Sequence, residues 1–144
     1  LDLSGFSIQQ ISHSMLDLGN FLKVCWLHEN SLTTLPEEIS SWSLVSQLRL
    51  SNNALTGLPS SIGKLKHLSM LFVDHNRLRS LPEEICECKQ LSVQVLDLAH
   101  NGIKEIPDEI GDISCLESLR LDQNAFHSLP TTIGQLKNLK ELTL

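Results

Sequence analysis

One eight-residue phrase recurs through this chain of 144 residues. It reads LTTLPEEI from Leu32, LTGLPSSI from Leu55, LRSLPEEI from Leu78, IKEIPDEI from Ile103 and FHSLPTTI from Phe126. All five prolines lie in it: Pro36, Pro59, Pro82, Pro107 and Pro130. Each follows an asparagine by six residues, and those asparagines (Asn30, Asn53, Asn76, Asn101 and Asn124) are spaced 23, 23, 25 and 23 apart. Such a period means a stacked array of one supersecondary unit, because a single unit cannot bury its own apolar face. The full unit is L-x-x-L-x-L-x-x-N-x-L-x-x-L-P-x-x-I, as in LSMLFVDHNRLRSLPEEI from Leu68 and LESLRLDQNAFHSLPTTI from Leu116.

Each part of the unit predicts a local structure. L-x-L alternates with period two and reads as a short strand. Strands of stacked units pair in parallel, with their leucines turned inward. The asparagine that ends each strand carries both donors and an acceptor, so it can satisfy the backbone of a tight turn. Proline is expected as the first residue of a short helix, where its missing N–H is not needed. The acidic pairs Glu37–Glu38, Glu83–Glu84 and Asp108–Glu109 then fall at a helix start, which favours negative charge. Gly63, Gly111 and Gly134 follow the isoleucine, and Cys86 takes that place in one unit. The helical side is the wider one, so the stack curves with its sheet inside. The expected fold is an α/β solenoid: a curved horseshoe with a concave parallel sheet and short helical or 3₁₀ turns on the convex side.

The pattern resembles leucine-rich repeat proteins along essentially the whole chain. The length of 23 residues and the L-P-x-x-I ending are similar to intracellular Ras-group repeats and to those of Scribble- and Erbin-type scaffolds. NALTGLP from Asn53 is similar to the plant receptor repeat at that one unit only, and is set aside against the fivefold pattern. The resemblance implies a cytoplasmic signalling scaffold, with a small GTPase or a phosphatase among its protein partners.

The register has faults. Phe6 stands where an asparagine is expected, so the first turn should be irregular, and ISHSM from Ile11 replaces L-P-x-x-I. The spacing of 25 is restored to 23 by deleting Gln94–Val95, which places a bulge in or before the strand around Val95. The chain begins and ends inside a repeat without polar caps, so residues 1–144 are expected to be one domain of about six repeats taken from a longer array.

Composition narrows the function. A net charge of −6 and a pI near 5.4 gain nothing from phosphate neutralisation, which argues against nucleic acid. No apolar run is long enough to span a bilayer. No signal peptide is expected and no N-glycosylation sequon occurs, so Cys25, Cys86, Cys88 and Cys115 are expected to be reduced thiols. Cys25, on an inward strand position, reads as a small buried hydrophobe. No nucleophile–base constellation or glycine-rich phosphate loop can be assembled, so neither catalysis nor a cofactor is expected. His75 and His100 share a column beside Asp74, but two imidazoles fall short of a metal site's three or four ligands.

What the repeat leaves free is the residue between the strand leucines: Asp2, Trp26, Arg49, Phe72, Asp97, Arg120 and Thr143. Flanking columns supply Val24, Gln47, Met70, Val95 and Ser118, then His28, Ser51, Asp74, Ala99 and Asp122. Trp42 aligns with Leu65 and Ile113 and is expected in the core. Trp26, Arg49, Met70 and Phe72 combine the residue types that dominate interface energetics, with His28 and Asp74 at their rim. Asp97, Arg120 and Asp122 form a mixed-charge zone that could set partner register. The expectation is a non-catalytic protein-interaction module that binds on its concave face. The alternatives are the recognition segment of a larger kinase or ubiquitin ligase, or of a secreted or receptor protein.

Overall fold

A computed structural model describes residues 1–86 and 93–144. Six strands form one open parallel sheet in sequence order: β1 (Val24–Trp26), β2 (Gln47–Arg49), β3 (Met70–Phe72), β4 (Val95–Asp97), β5 (Ser118–Arg120) and β6 (Glu141–Thr143). An isolated bridge from Asp2 to Trp26 extends the sheet into the first unit. Opposite the strands lie 3₁₀ turns at Glu37–Ser41, Ser60–Lys64, Glu83–Ile85, Asp108–Asp112 and Thr131–Gln135. The first unit differs. Ser12 caps a short helix α1 (His13–Leu16), and a 3₁₀ turn at Asp17–Asn20 follows. The result is a curved solenoid.

The core is the leucine lattice that the repeat predicts. Leu48, Leu71, Leu96 and Leu119 lie in register in the sheet. Leu50, Val73, Leu98 and Leu121 follow two residues later, all buried. Trp42 is fully buried, and its indole N–H donates to the Met15 carbonyl at 3.2 Å, tying α1 to the second unit.

Each asparagine amide joins two units. Asn76 Oδ1 accepts the Leu55 N–H at 2.9 Å, while its Nδ2 donates to Leu50 and Val73 carbonyls, both at 3.0 Å. Leu55 and Leu50 belong to the preceding unit. Asn30, Asn53, Asn101 and Asn124 repeat the pattern, accepting from Ile8, Leu32, Leu78 and Ile103. The residue before each of these asparagines is left-handed: Glu29, Asn52, His75, His100 and Gln123 have φ between 52° and 56°. Only Gly5, at φ 73°, is a glycine in that column.

Three sequence expectations change. Proline is not the first helical residue. It has extended backbone just before the 3₁₀ turn, and its carbonyl accepts from the isoleucine three residues on, as from Ile62 N to Pro59 O at 3.1 Å. The first turn is less irregular than Phe6 implies. Phe6 is 70% exposed and makes no substitute contact, but Asn30 of the next unit takes both the Ile8 N–H and the Leu3 carbonyl. A second left-handed residue at Ser7 is the irregularity that remains. Finally, of the two places expected for the insertion, it lies before the strand and not within it. Met70 pairs with Val95 in register, and Val93 is buried where Leu68 is buried one unit earlier. The two extra residues therefore fall between Ile85 and Val93, a stretch mostly outside the described residues.

On the convex side, the 3₁₀ turns stack closely at the glycine. A Cβ built on Gly63 would lie 2.3 Å from the Glu84 carbonyl oxygen, whereas at Gly134 it meets nothing within 4 Å.

Two measurements follow. Asn76→Ala removes bonds to two units and leaves part-buried backbone groups unpaired, so it should lower unfolding stability by about 1–3 kcal/mol in urea titration. Gly63→Ala should destabilise by about 1–3 kcal/mol through overpacking, while Gly134→Ala stays within about 0.5 kcal/mol of the parent. Equal melting curves for the two glycine variants would contradict the stacking of the turns.

Candidate protein-binding face

Strand register turns one residue per unit into a straight column. Trp26 pairs with Arg49, Arg49 with Phe72, Phe72 with Asp97, Asp97 with Arg120 and Arg120 with Thr143. Neighbouring strands are about 4.8 Å apart, so adjacent side chains touch. The column divides into two chemically different halves.

The first half is apolar around one cation. Trp26 is 39% exposed, and Arg49, Met70 and Phe72 are half-buried. The Arg49 guanidinium carbon sits 4.8 Å above the centre of the Phe72 ring. That contact is worth about 0.5–1 kcal/mol at an exposed site. Among the described residues, Arg49 makes no ion pair and no side-chain hydrogen bond. It opens onto a shallow cleft of about 400 Å³ shared with His28, Ser51, Phe72, Asp74 and Asp97. Asp74 accepts the Ser51 hydroxyl, and the Nδ1 of His28 is buried without a partner.

The second half is charged and satisfied from within. Arg120 donates to Glu141 Oε1 from Nη2 at 3.0 Å and from Nε at 3.2 Å. Its Nη1 lies 3.6 Å from Asp97. Glu141 also accepts the Ser118 hydroxyl at 2.8 Å, and these bonds hold its carboxyl below the usual range. Asp122 is lowered likewise, chiefly by the Thr143 hydroxyl at 2.6 Å. His100 Nε2 is 4.0 Å from Asp122.

Asp97 departs from its expected place. The column pattern expects an exposed contact residue there, but Asp97 is only 6% exposed, buried between β3 and β5. Burial pushes its carboxyl above the ordinary 3.8, aided by the neighbouring charges of Asp74 and Asp122. The Ala99 N–H, 3.2 Å from Oδ1, and Arg120 oppose the shift.

Several other residues take their places. His75 and His100 stack with ring centres 4.0 Å apart and planes 12° apart, face to face rather than converging on a common point. Thr143, from the free column, and Glu141, which the expected columns stop short of, complete the charged half. Continuing the flanking column by one more period from Ser118 reaches Glu141. The acidic pairs sit on the convex turns, away from the cleft, and Glu37 bonds the Ser61 N–H of the next turn at 3.0 Å. Cys25 is fully buried, and burial pushes its thiol up to about 12, so it is inert as a nucleophile. Cys88 lies outside the described residues.

Residues 45–65 and 92–113 match the family described as Leucine Rich Repeat. A leucine-rich repeat protein of Leptospira interrogans superposes with a TM-score of 0.83 at 38% identity, over 90% of this chain and 33% of its own. This is a leucine-rich repeat protein. Its array is also similar to the ectodomain of the plant membrane receptor kinase GASSHO1/SCHENGEN3 from Arabidopsis thaliana, solved in complex with CASPARIAN STRIP INTEGRITY FACTOR 2. That match has a TM-score of 0.82 and 36% identity, over 94% of this chain and 17% of the receptor's. An internalin of Listeria monocytogenes shares the fold, with a TM-score of 0.79 and 20% identity over 96% of this chain and 38% of its own. The leucine-rich repeat protein thus spans between about a sixth and two fifths of these chains. No curated protein matches its sequence. Repeats of this kind are in general non-catalytic modules that bind proteins on an extended concave surface. Among the described residues no helix is long and apolar enough to cross a membrane.

The raised carboxyl of Asp97 makes a signed prediction. Folding favours its neutral form, so that contribution is complete below pH 3.8 and is lost as pH rises through the raised folded value. At neutral pH the ionised group costs stability. Asp97→Asn should therefore melt at or above the parent temperature at neutral pH, and the difference should shrink below pH 3.8. Melting scans across that range test it, and a variant markedly less stable at neutral pH would make the Arg120 pair the dominant effect.

Proposed function

We propose that the protein is a non-catalytic interaction module that holds a protein partner against β1–β3 of the concave sheet. The observation that carries this is one register-aligned column, Trp26–Arg49–Phe72, with Met70 beside it and the Arg49 charge unmatched. Clustered Trp and Arg side chains are enriched among residues that dominate binding energy. An exposed apolar cluster beside charge marks a partner site. His28 and Asp74 line the adjoining cleft and form the rim. The charged half contributes less, because Asp97, Arg120 and Asp122 already bond within the fold and a partner would have to displace those bonds. The complex formed by the plant receptor ectodomain supports binding through such an array.

The setting we propose is a cytoplasmic signalling scaffold. Free thiols at Cys25 and Cys115 and the sequence without sequons fit a reducing compartment. The resemblance to Ras-group and Scribble-type repeats makes small GTPases and phosphatases the first partner classes to look for. The second reading is a recognition segment of a larger receptor. It draws on the receptor kinase ectodomain, of which this chain matches only a part.

A comparative pull-down tests the module. The parent is compared with Trp26→Ala/Arg49→Ala/Phe72→Ala, after circular dichroism shows both folded. Each truncated hot spot should cost about 2 kcal/mol or more, so specific partners should vanish from the variant. The convex variant Glu83→Ala/Glu109→Ala should keep them. Identical partner lists for the parent and the triple variant would sink the proposal. The identity of the partners separates a cytoplasmic scaffold from a receptor segment.

A further inference from the structure

Arg49 and Arg120 stand in the same column of the same sheet, yet only one has its counter-charge. Arg120 is bonded by Glu141, in the flanking column of the next strand, and faces Asp97, in its own column on the preceding strand. At Arg49 the residues in those two places are Met70 and Trp26. The fold therefore shows which group a guanidinium in this column binds, and at Arg49 supplies apolar surface on both sides instead. The Phe72 ring lies against the guanidinium, its centre 4.8 Å from the central carbon, while the Arg49 N–H donors find no acceptor among the described residues.

We propose that Arg49 anchors a single carboxylate, the side chain of an Asp or Glu in a protein segment laid across β1–β3. Apolar residues beside that acid rest on Trp26 and Met70. A planar guanidinium with free parallel N–H bonds matches a carboxylate in bidentate geometry. The surroundings limit the anion to one charge. Arg120 also lines this cleft, but its charge is met by Glu141 and Asp97, and Glu29 and Asp74 beside Arg49 disfavour a phosphate dianion or a polyanion. This rests on the proposed concave-face binding and adds the chemistry that the partner must present.

The test uses a library of random dodecapeptides displayed with their carboxyl termini tethered, so that only side-chain carboxylates are available. Peptides selected on the parent protein should share one acidic position with an aliphatic or aromatic neighbour. Arg49→Gln should weaken those peptides by about tenfold, the size of one charge-assisted pair. Arg49→Glu should select a basic residue at the same position. Selected peptides with no acidic position, or with one that Arg49→Gln leaves unaffected, overturn the inference, as does displacement by millimolar inorganic phosphate. Peptides that ignore Arg49 but are lost in Trp26→Ala/Phe72→Ala overturn only this inference and leave concave binding standing. A library that yields no binder, or binders indifferent to all three residues, overturns both.

Discussion

The asparagine amide at the end of each strand is the interaction on which the solenoid depends. After three residues the backbone must leave the sheet, and its polar groups there are part-buried and outside any ladder. A buried group left unpaired costs about 1–3 kcal/mol, so every unit must supply a partner at the same point. An amide is suited to this because it accepts from one unit while donating to two, as Asn53 does with Leu32, Leu27 and Leu50. Asp could not donate, and a single hydroxyl could not reach three groups. Since each amide also serves the preceding unit, no unit is satisfied alone. The fixed period follows from that shared bonding as much as from the leucines.

That constraint explains what was legible in the sequence. Asparagine, proline and leucine recur at fixed offsets because each performs one task in every unit, so strands, turns and curvature could be read from spacing. The left-handed column could not. Its occupants are Glu29, Asn52, His75, His100 and Gln123, which share no residue type; Asn and His favour a positive φ only weakly, and Gly5 alone is a glycine. The spacing leaves the insertion open between the strand and the stretch before it, because VQV alternates whichever two residues are removed. Only the burial of Val93 and the pairing of Val95 with Met70 fix the register. Proline was put one residue too far into its turn because a missing N–H is equally harmless at either place, whereas the extended backbone and the carbonyl bond to isoleucine are visible only in three dimensions.

The candidate site divides in the same way. Column arithmetic placed Trp26, Arg49 and Phe72 side by side, because register is a property of the repeat. Exposure is not. Asp97 sits in the same column as Trp26, yet it is covered and Trp26 is open. The difference comes from the neighbours. Arg120 lies across Asp97 on one side, while Trp26 has only the isolated bridge to Asp2 beyond it. A column therefore names candidates, and the cross-strand pairs decide which are available.

Availability sets what this face can recognise. Arg120, Glu141, Ser118, Asp122 and Thr143 are bonded to one another, so a ligand there must break bonds as good as those it makes. Between β1 and β3 the sheet presents a tryptophan, a methionine and an arginine lying against a phenylalanine, and none of these four side chains has such a competing bond among the described residues. Desolvating the column from Trp26 to Phe72 costs little beyond the Arg49 charge, and a matched carboxylate offsets that cost in a way that water alone does not. Selectivity arises at the positions the scaffold leaves incomplete. In an array whose every turn is satisfied by its neighbour, an arginine without its acid is the clearest of these.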